Sequence, residues 1–344
     1  MKTLRLIAAL AAPLLFAQPA AAADSYPANA VSLRSVADGN FVVVDRSDGK
    51  QQIIAEVDYS AAALTLYEGA IHMVQSTPYQ VERLDWEGRK AYVTRTHVDY
   101  YTDSIDFTKL KVLDRFDGCV AGRGDSHHGE VHVVRRVAGY KKIRYYTHEN
   151  IGYGPVNLPD QELHTTAVWW QLPQSLLLTA FESRQEALDG FLGAAYALHI
   201  VATVAVMADA RDLQKAVGNG DGAWFAVADQ SGRGQLRGAE FDASAIELQQ
   251  QFVPTVYLYD NFPGGVGLSE PLWTRQAELL LRARELVQGC DCKAGCPACV
   301  GPVLAGQEDD ATTPKALALK VLDLFDAQAL PDAGDHAEVE VVPF

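Results

Sequence analysis

The chain is poor in cysteine and in positive charge. Of its 344 residues only five are cysteine, and 29 Lys and Arg face 44 Asp and Glu, a formal net charge of −15. Five cysteines are too few to staple a chain of this length, so a disulfide scaffold is excluded as the source of stability. At 48% hydrophobic residues the chain can instead build its core by apolar burial. The deficit of Lys and Arg excludes nucleic-acid binding by the whole surface, because phosphate contacts need those residues. A local basic face is still open. There is no internal repeat.

What cysteine there is, is concentrated. Cys290, Cys292, Cys296 and Cys299 lie in the segment CDCKAGCPACVGP, spaced Cys-x-Cys-x3-Cys-x2-Cys. A tetrahedral zinc site needs four soft ligands converging at about 2.3 Å from the metal. A loop with Gly295 and Pro297 around its third cysteine can turn sharply enough to supply them. Two disulfides and an iron–sulfur cluster are the alternatives. Cys290 and Cys292 are separated by one residue and pair poorly, and cross-pairing in so tight a loop strains the required Cα separations. The spacing also fits neither common ferredoxin run. Four cysteines close the metal's shell, so the expected role is structural Zn2+ rather than catalysis. Cys119 stands apart and reads as a free thiol.

The first 23 residues, MKTLRLIAALAAPLLFAQPAAAA, have the parts of a secretory signal: Lys2 and Arg5, an apolar run and a small-residue segment. A chance Ala/Leu-rich start has the same composition. Residues 35–150 read as strands. Turn signals at Asp48-Gly49, Glu87-Gly88 and Ala138-Gly139 predict three hairpins, and so a small antiparallel barrel or sandwich. Residues 118–130 read as a polar Gly-rich loop. From Glu182 the pattern is helical, with a change to strand expected near Val201. The stretch between Asp189 and Asp209 carries no charge and is long enough to span a bilayer, but Ala, Gly, Thr, Tyr and His dilute it, and a buried core element is expected. VPTVYLYD (253–260) reads as a buried strand and NFPGGVG as a tight turn. A helix capped by Ser269 then runs to Gly289, and a last helix is capped by Thr313 with Pro314 next. The fold class is therefore α+β. Its parts are a signal-like segment 1–23, a β-rich module 24–165, a mixed, mainly helical metal-binding module 166–330 and an acidic tail 331–344.

Three further groups carry possible chemistry. Arg135, Arg136, Lys141, Lys142 and Arg144, interleaved with Tyr140, Tyr145 and Tyr146, could hold a nucleic-acid strand through phosphates and stacking. A solvated hairpin surface is the bland reading. FPGGVGLSE has the form of a phosphate-holding turn before a helix, but lacks the dinucleotide pattern and any Lys. His199, Asp209, Asp212, Asp260 and Glu270 could hold a hydrolytic metal, although no spacing forces them together. His127 and His128 read as part of a solvated loop.

YLYDNFPGGVGLSE, followed one helix later by CDCKAGCPACVGP, resembles the C-terminal zinc-binding region of MrfA-type DEAD/DEAH-box DNA-repair helicases. SYPANAVSLRSV, YQVERLDWEGRKAYV and VAGYKKIRYYTHE resemble segments preceding it. The resemblance implies DNA, single-stranded in the assembled state, as a partner, with a helicase or ATPase core acting in trans and no membrane. It also implies a cytoplasmic location, or a periplasmic or secreted one if residues 1–23 are a working signal. No G-x-x-x-x-G-K-[ST] loop and no DEAD or DEAH box occurs in the chain, so the expectation is an accessory protein that is not an enzyme alone, the alternatives being an exported binding protein or hydrolase that reuses the scaffold, or a truncated helicase gene fragment.

Overall fold

The structure is a computed structural model and describes residues 39–220, 225–228, 234–237, 252–302 and 312–326. The signal-like start and the acidic tail lie outside the described residues. A first sheet of five strands has the order β2-β1-β5-β4-β3. Its strands are β1 (Phe41–Asp45), β2 (Gln52–Val57), β3 (Ile71–Val74), β4 (Thr77–Asp85) and β5 (Lys90–Arg95). The turns at Asp48-Gly49 and Glu87-Gly88 make the two hairpins their sequences predict, β1–β2 and β4–β5. β1 also pairs with β5 in parallel, which neither hairpin reveals. Helix α1 (Tyr59–Thr65) closes the sheet's core with Phe41, Val43, Leu66, Tyr67 and Val93.

The second sheet has eight strands. β6 (Tyr100–Ala121) and β7 (Gly124–Arg144) form a long hairpin, β8 (Asn150–Pro155) adds to β7, and β9 (Gln161–Gln171) pairs with β7 further along. β9 also pairs with β13 (Pro254–Asp260), and the sheet continues through β10 (Leu213–Asn219), β11 (Phe225–Ala228) and β12 (Gly234–Arg237). One sheet is therefore continuous across residue 165. β13 is buried at all seven positions, as its apolar run requires.

Two strand expectations fail here. Ala138-Gly139 is not a turn but lies within β7, where Gly139 pairs with Ile105 on one side and Pro155 on the other. A bulge in the β6–β7 register at Ile105/Asp106 absorbs the extra residue. Ladder bonds on both edges outweigh a local turn preference. Residues 118–130 are likewise not a loop but the paired ends of β6 and β7, joined at Gly122-Arg123.

One face of this sheet carries α2 (Gln174–Ala180), α3 (Arg184–Val206), α4 (Ser269–Thr274), α5 (Gln276–Gln288) and α6 (Pro314–Phe325), and the main core lies between them. Ser183 caps α3 by accepting from the Glu186 N–H at 3.2 Å. α3 does not give way to a strand at Val201. It runs on to Val206 and ends at Met207 in the left-handed conformation (φ 53°). By length and composition α3 is the one described helix that could cross a membrane. Phe191, Ala194, Leu198 and Ala202 nonetheless bury it in the core, as expected. Ser269 is the first residue of α4 rather than its cap, and the helix breaks at Arg275, so α4 and α5 replace one continuous helix. Thr313 caps α6 as expected, accepting from the Ala316 N–H at 3.3 Å.

Candidate metal centre

The four cysteines occupy the connection that leaves α5 at Gly289 and leads towards α6. The peptide N–H groups of Cys299, Val300 and Gly301 all donate to the Cys296 carbonyl, at 3.0 to 3.2 Å. That coil brings Cys296 and Cys299 to one side. Cys299, Val300 and Ala294 are buried, and Cys299 and Val300 belong to the main core. The loop thus has an apolar underside and a sulfur cluster above it.

The Sγ separations are 3.6 Å for Cys290–Cys296, 3.5 Å for Cys292–Cys299 and 3.7 Å for Cys296–Cys299. All four sulfurs lie within 4.8 Å of one another. A disulfide needs about 2.05 Å, so every cysteine is a free thiol and the disulfide alternative is overturned. A regular tetrahedron of sulfurs about 2.3 Å from a zinc ion has edges of about 3.8 Å. The cluster has that size, so the donor set fits Zn2+. Burial pushes the Cys299 thiol up to about 12 and raises that of Cys292, whereas the peptide N–H of Cys292 pulls Cys290 down to about 7. Neutral thiols are weak ligands, and a divalent cation offsets the cost of ionising them together.

Lys315, in the first turn of α6, secures the loop from outside. Its Nζ donates to the carbonyls of Cys290 and, at 3.0 Å, Cys292, and its own N–H donates to the Ala294 carbonyl at 2.9 Å. Arg284 of α5 pairs with Asp323 of α6. These contacts and the sulfur cluster join the end of α5 to the start of α6. Nothing in the cysteine spacing points to Lys315; its place in the first turn of the next helix is the only clue.

The Pro-Gly-Gly turn is explained by a residue next to it. Gly264 and Gly265 have φ of 78° and 73°, which only glycine adopts without strain. The turn aims the N–H groups of Val266 and Leu268 at Oδ2 of Asp260, at 2.8 and 3.0 Å. The acceptor that this turn holds is the protein's own Asp260 carboxyl group, not a phosphate. Asp260 is fully buried, its Oδ1 has no partner, and burial raises its pKa. Ser269 donates to Thr166 Oγ1 at 2.7 Å and lies 3.2 Å from Nε2 of His128.

The other candidates separate. His199 is a core residue with Nε2 2.8 Å from the Leu213 carbonyl. It does not join Asp209, Asp212, Asp260 and Glu270, and among the described residues the cysteines form the only cluster of three or more potential metal ligands. His127 and His128 are not in a solvated loop: they lie on β7, with His128 buried and stacked on Trp273. Cys119 is a free thiol on β6.

The five basic residues all lie along β7 rather than around a turn. Arg135 lines a cavity of about 250 Å3, 3.8 Å from Asp106. Arg136 makes two 2.6 Å bonds to Asp160. Arg144 pairs with Asp99 and Glu149 at 3.4 and 3.5 Å. Lys142 sits over the Tyr100 ring. Among the described residues, neither Lys141 nor Lys142 has a carboxylate at ion-pair distance.

A closed four-sulfur knot docked on a helical core defines a structural zinc-binding domain, and residues 194–300 match the family model described as the MrfA Zn-binding domain. The chain is homologous to part of the length of the YprA and HRQ1 helicases. It is 34% identical over 286 residues to the Bacillus subtilis (strain 168) protein described as the uncharacterized ATP-dependent helicase YprA, covering 83% of this chain and 34% of that one. The ATP-dependent helicase HRQ1 of Saccharomyces cerevisiae is 22% identical over 279 residues, covering 80% of this chain and 24% of that one. In structure the chain is similar to the DUF1998 helicase MrfA crystallised bound to DNA, at TM-score 0.56 and 32% identity, over 89% of this chain and 36% of that one. The chain spans about a third of the length of YprA and less of HRQ1.

Proposed function

We propose that the chain is a zinc-stabilised accessory region of a DNA-repair helicase system in the cytoplasm, which engages DNA without catalysing a reaction alone. ATP-driven movement comes from an ATPase core acting with it. The observation that carries this reading is its similarity, over 89% of its length and including the zinc-binding domain, to a helicase crystallised with DNA. The metal's role is to fix a connection between two helices, because four thiolates leave no position for a substrate or an attacking water. The absence of a G-x-x-x-x-G-K-[ST] loop supports a need for an ATPase partner.

The test is fluorescence anisotropy of the zinc-loaded full chain with labelled single-stranded and duplex DNA, run beside an ATPase assay. The reading expects salt-dependent DNA binding and no ATP hydrolysis by the chain alone. Absence of binding at low salt, or ATP hydrolysis without a partner, contradicts it. Recovery of a shortened protein from a periplasmic fraction contradicts the cytoplasmic placement.

A further inference from the structure

We propose that the turn after β7 carries a tyrosine platform that stacks unpaired nucleobases; this rests on the DNA-engaging reading above. Tyr145 and Tyr146 lie in the connection from β7 to β8, and Tyr101 enters the same group from β6. The Tyr101 and Tyr145 ring centroids are 5.7 Å apart, those of Tyr145 and Tyr146 6.4 Å. His148 meets Tyr101 edge-on at 6.5 Å, with Nδ1 3.4 Å from the phenol oxygen.

Three observations give this group a use beyond packing. Tyr146 is 97% exposed, so its ring contributes nothing to a core. The backbone there is strained: Tyr146 and His148 have φ of 65° and 54°, a region that bulky side chains rarely enter. Strain held in place by surrounding bonds is characteristic of binding surfaces. It is held here. Thr147 N–H donates to the Tyr145 carbonyl at 2.8 Å, His148 N–H to Arg144 at 3.1 Å, and Tyr145 N–H to Asp99 at 2.9 Å. The backbone that carries the exposed phenol face is thus held in place before a flat apolar partner settles on it. Lys141 and Lys142, without carboxylate partners among the described residues, lie on the strand leading into the turn. An aromatic face at the end of a strand that carries ammonium groups suits a base and its phosphate, and duplex DNA hides its base faces in the stack.

The test compares binding of a fluorescein-labelled oligothymidine and of a duplex by the zinc-loaded full chain and by Y146A, Y146F and Y145A/Y146A. Circular dichroism and zinc content confirm that each variant keeps the fold. One stacked base corresponds to about 1–3 kcal/mol, so Y146A should weaken oligothymidine binding about 5- to 150-fold. Y145A/Y146A should weaken it further, Y146F should bind like the parent, and duplex affinity should stay within about twofold of it. K141A/K142A should lower the salt slope without the same selective loss. An unchanged oligothymidine affinity in Y146A overturns the platform and leaves the DNA reading intact, and an equal loss on duplex overturns its selectivity for unpaired bases. If the parent chain binds neither DNA, the DNA reading fails and the platform with it.

Discussion

Substituting Gly193 by Ala tests how closely the metal-binding connection is docked on α3. In an open helix the change is favourable by about 1 kcal/mol, because Ala restricts the unfolded chain and suits the helix. Here α6 and the end of the cysteine loop cross α3 at this point. A Cβ built on Gly193 falls 2.9 Å from the Ala318 Cβ and 3.3 Å from the Val300 Cβ. Carbon atoms in contact prefer about 3.5–4.0 Å, so α6 and Val300 must both retreat. Overpacking of this kind costs about 1–3 kcal/mol and outweighs the propensity gain. Gly190 is the harsher site, since its Cβ meets the Leu317 carbonyl oxygen at 2.8 Å, and backbone cannot swing aside as a side chain can. Urea unfolding of zinc-loaded protein should therefore rank parent above G193A and G193A above G190A. Because Val300 follows Cys299, G193A should also release metal to a chelator faster. A stabilised G193A would refute the docking of α6 and the loop on this face.

Asp260→Ala leaves the Val266 and Leu268 N–H groups unsatisfied and should cost about 2–4 kcal/mol in urea unfolding. Asp260→Asn keeps an acceptor. Burial raises the Asp260 pKa, so its folded state favours the protonated form, and the parent loses stability as pH rises through that value while D260N does not. The stability difference should therefore move in favour of D260N between acid and neutral pH; a constant difference would count against the buried carboxylate. His199 is shifted the other way, its pKa lowered from 6.5 chiefly by burial, so its contribution is intact above about pH 6.5 and lost as pH falls. Stability curves of the parent should slope downward there, by up to about 1.4 kcal/mol per pH unit for one proton, and H199Q should flatten them. Lys315→Met removes two bonds to the cysteine-loop carbonyls, so chelator-driven metal loss should quicken severalfold, while K315R should retain part of the effect; equal release rates would refute the clamp.

The metal centre was legible because its chemistry is local. Four cysteines within ten residues fix a ligand set with no help from distant chain, and Gly289 and Thr313 mark the helix ends around it. Hairpins with true turns were legible for the same reason. The turn signal at Ala138-Gly139 misled because that segment gains hydrogen bonds from two strands at once, one of them more than 30 residues away. The parallel pairing of β1 with β5 and the joining of β9 to β13 are likewise long-range, and no short window of sequence contains them. The basic stretch of β7 reads as one patch in sequence, yet Asp160, Asp99 and Glu149 neutralise much of it from other segments. The FPGGV turn looked like a phosphate site because its shape is one; Asp260, a single step upstream of Asn261, already fills it.

The central claim is that four thiolates close around one zinc ion and fasten the end of α5 to the start of α6. X-ray absorption at the zinc edge of the purified full chain tests it most directly. The account predicts one zinc per chain in a shell of four sulfurs at about 2.3 Å, with no oxygen or nitrogen neighbour. A shell containing a water oxygen or a histidine nitrogen, or a protein that holds no zinc with its thiols intact, would contradict it.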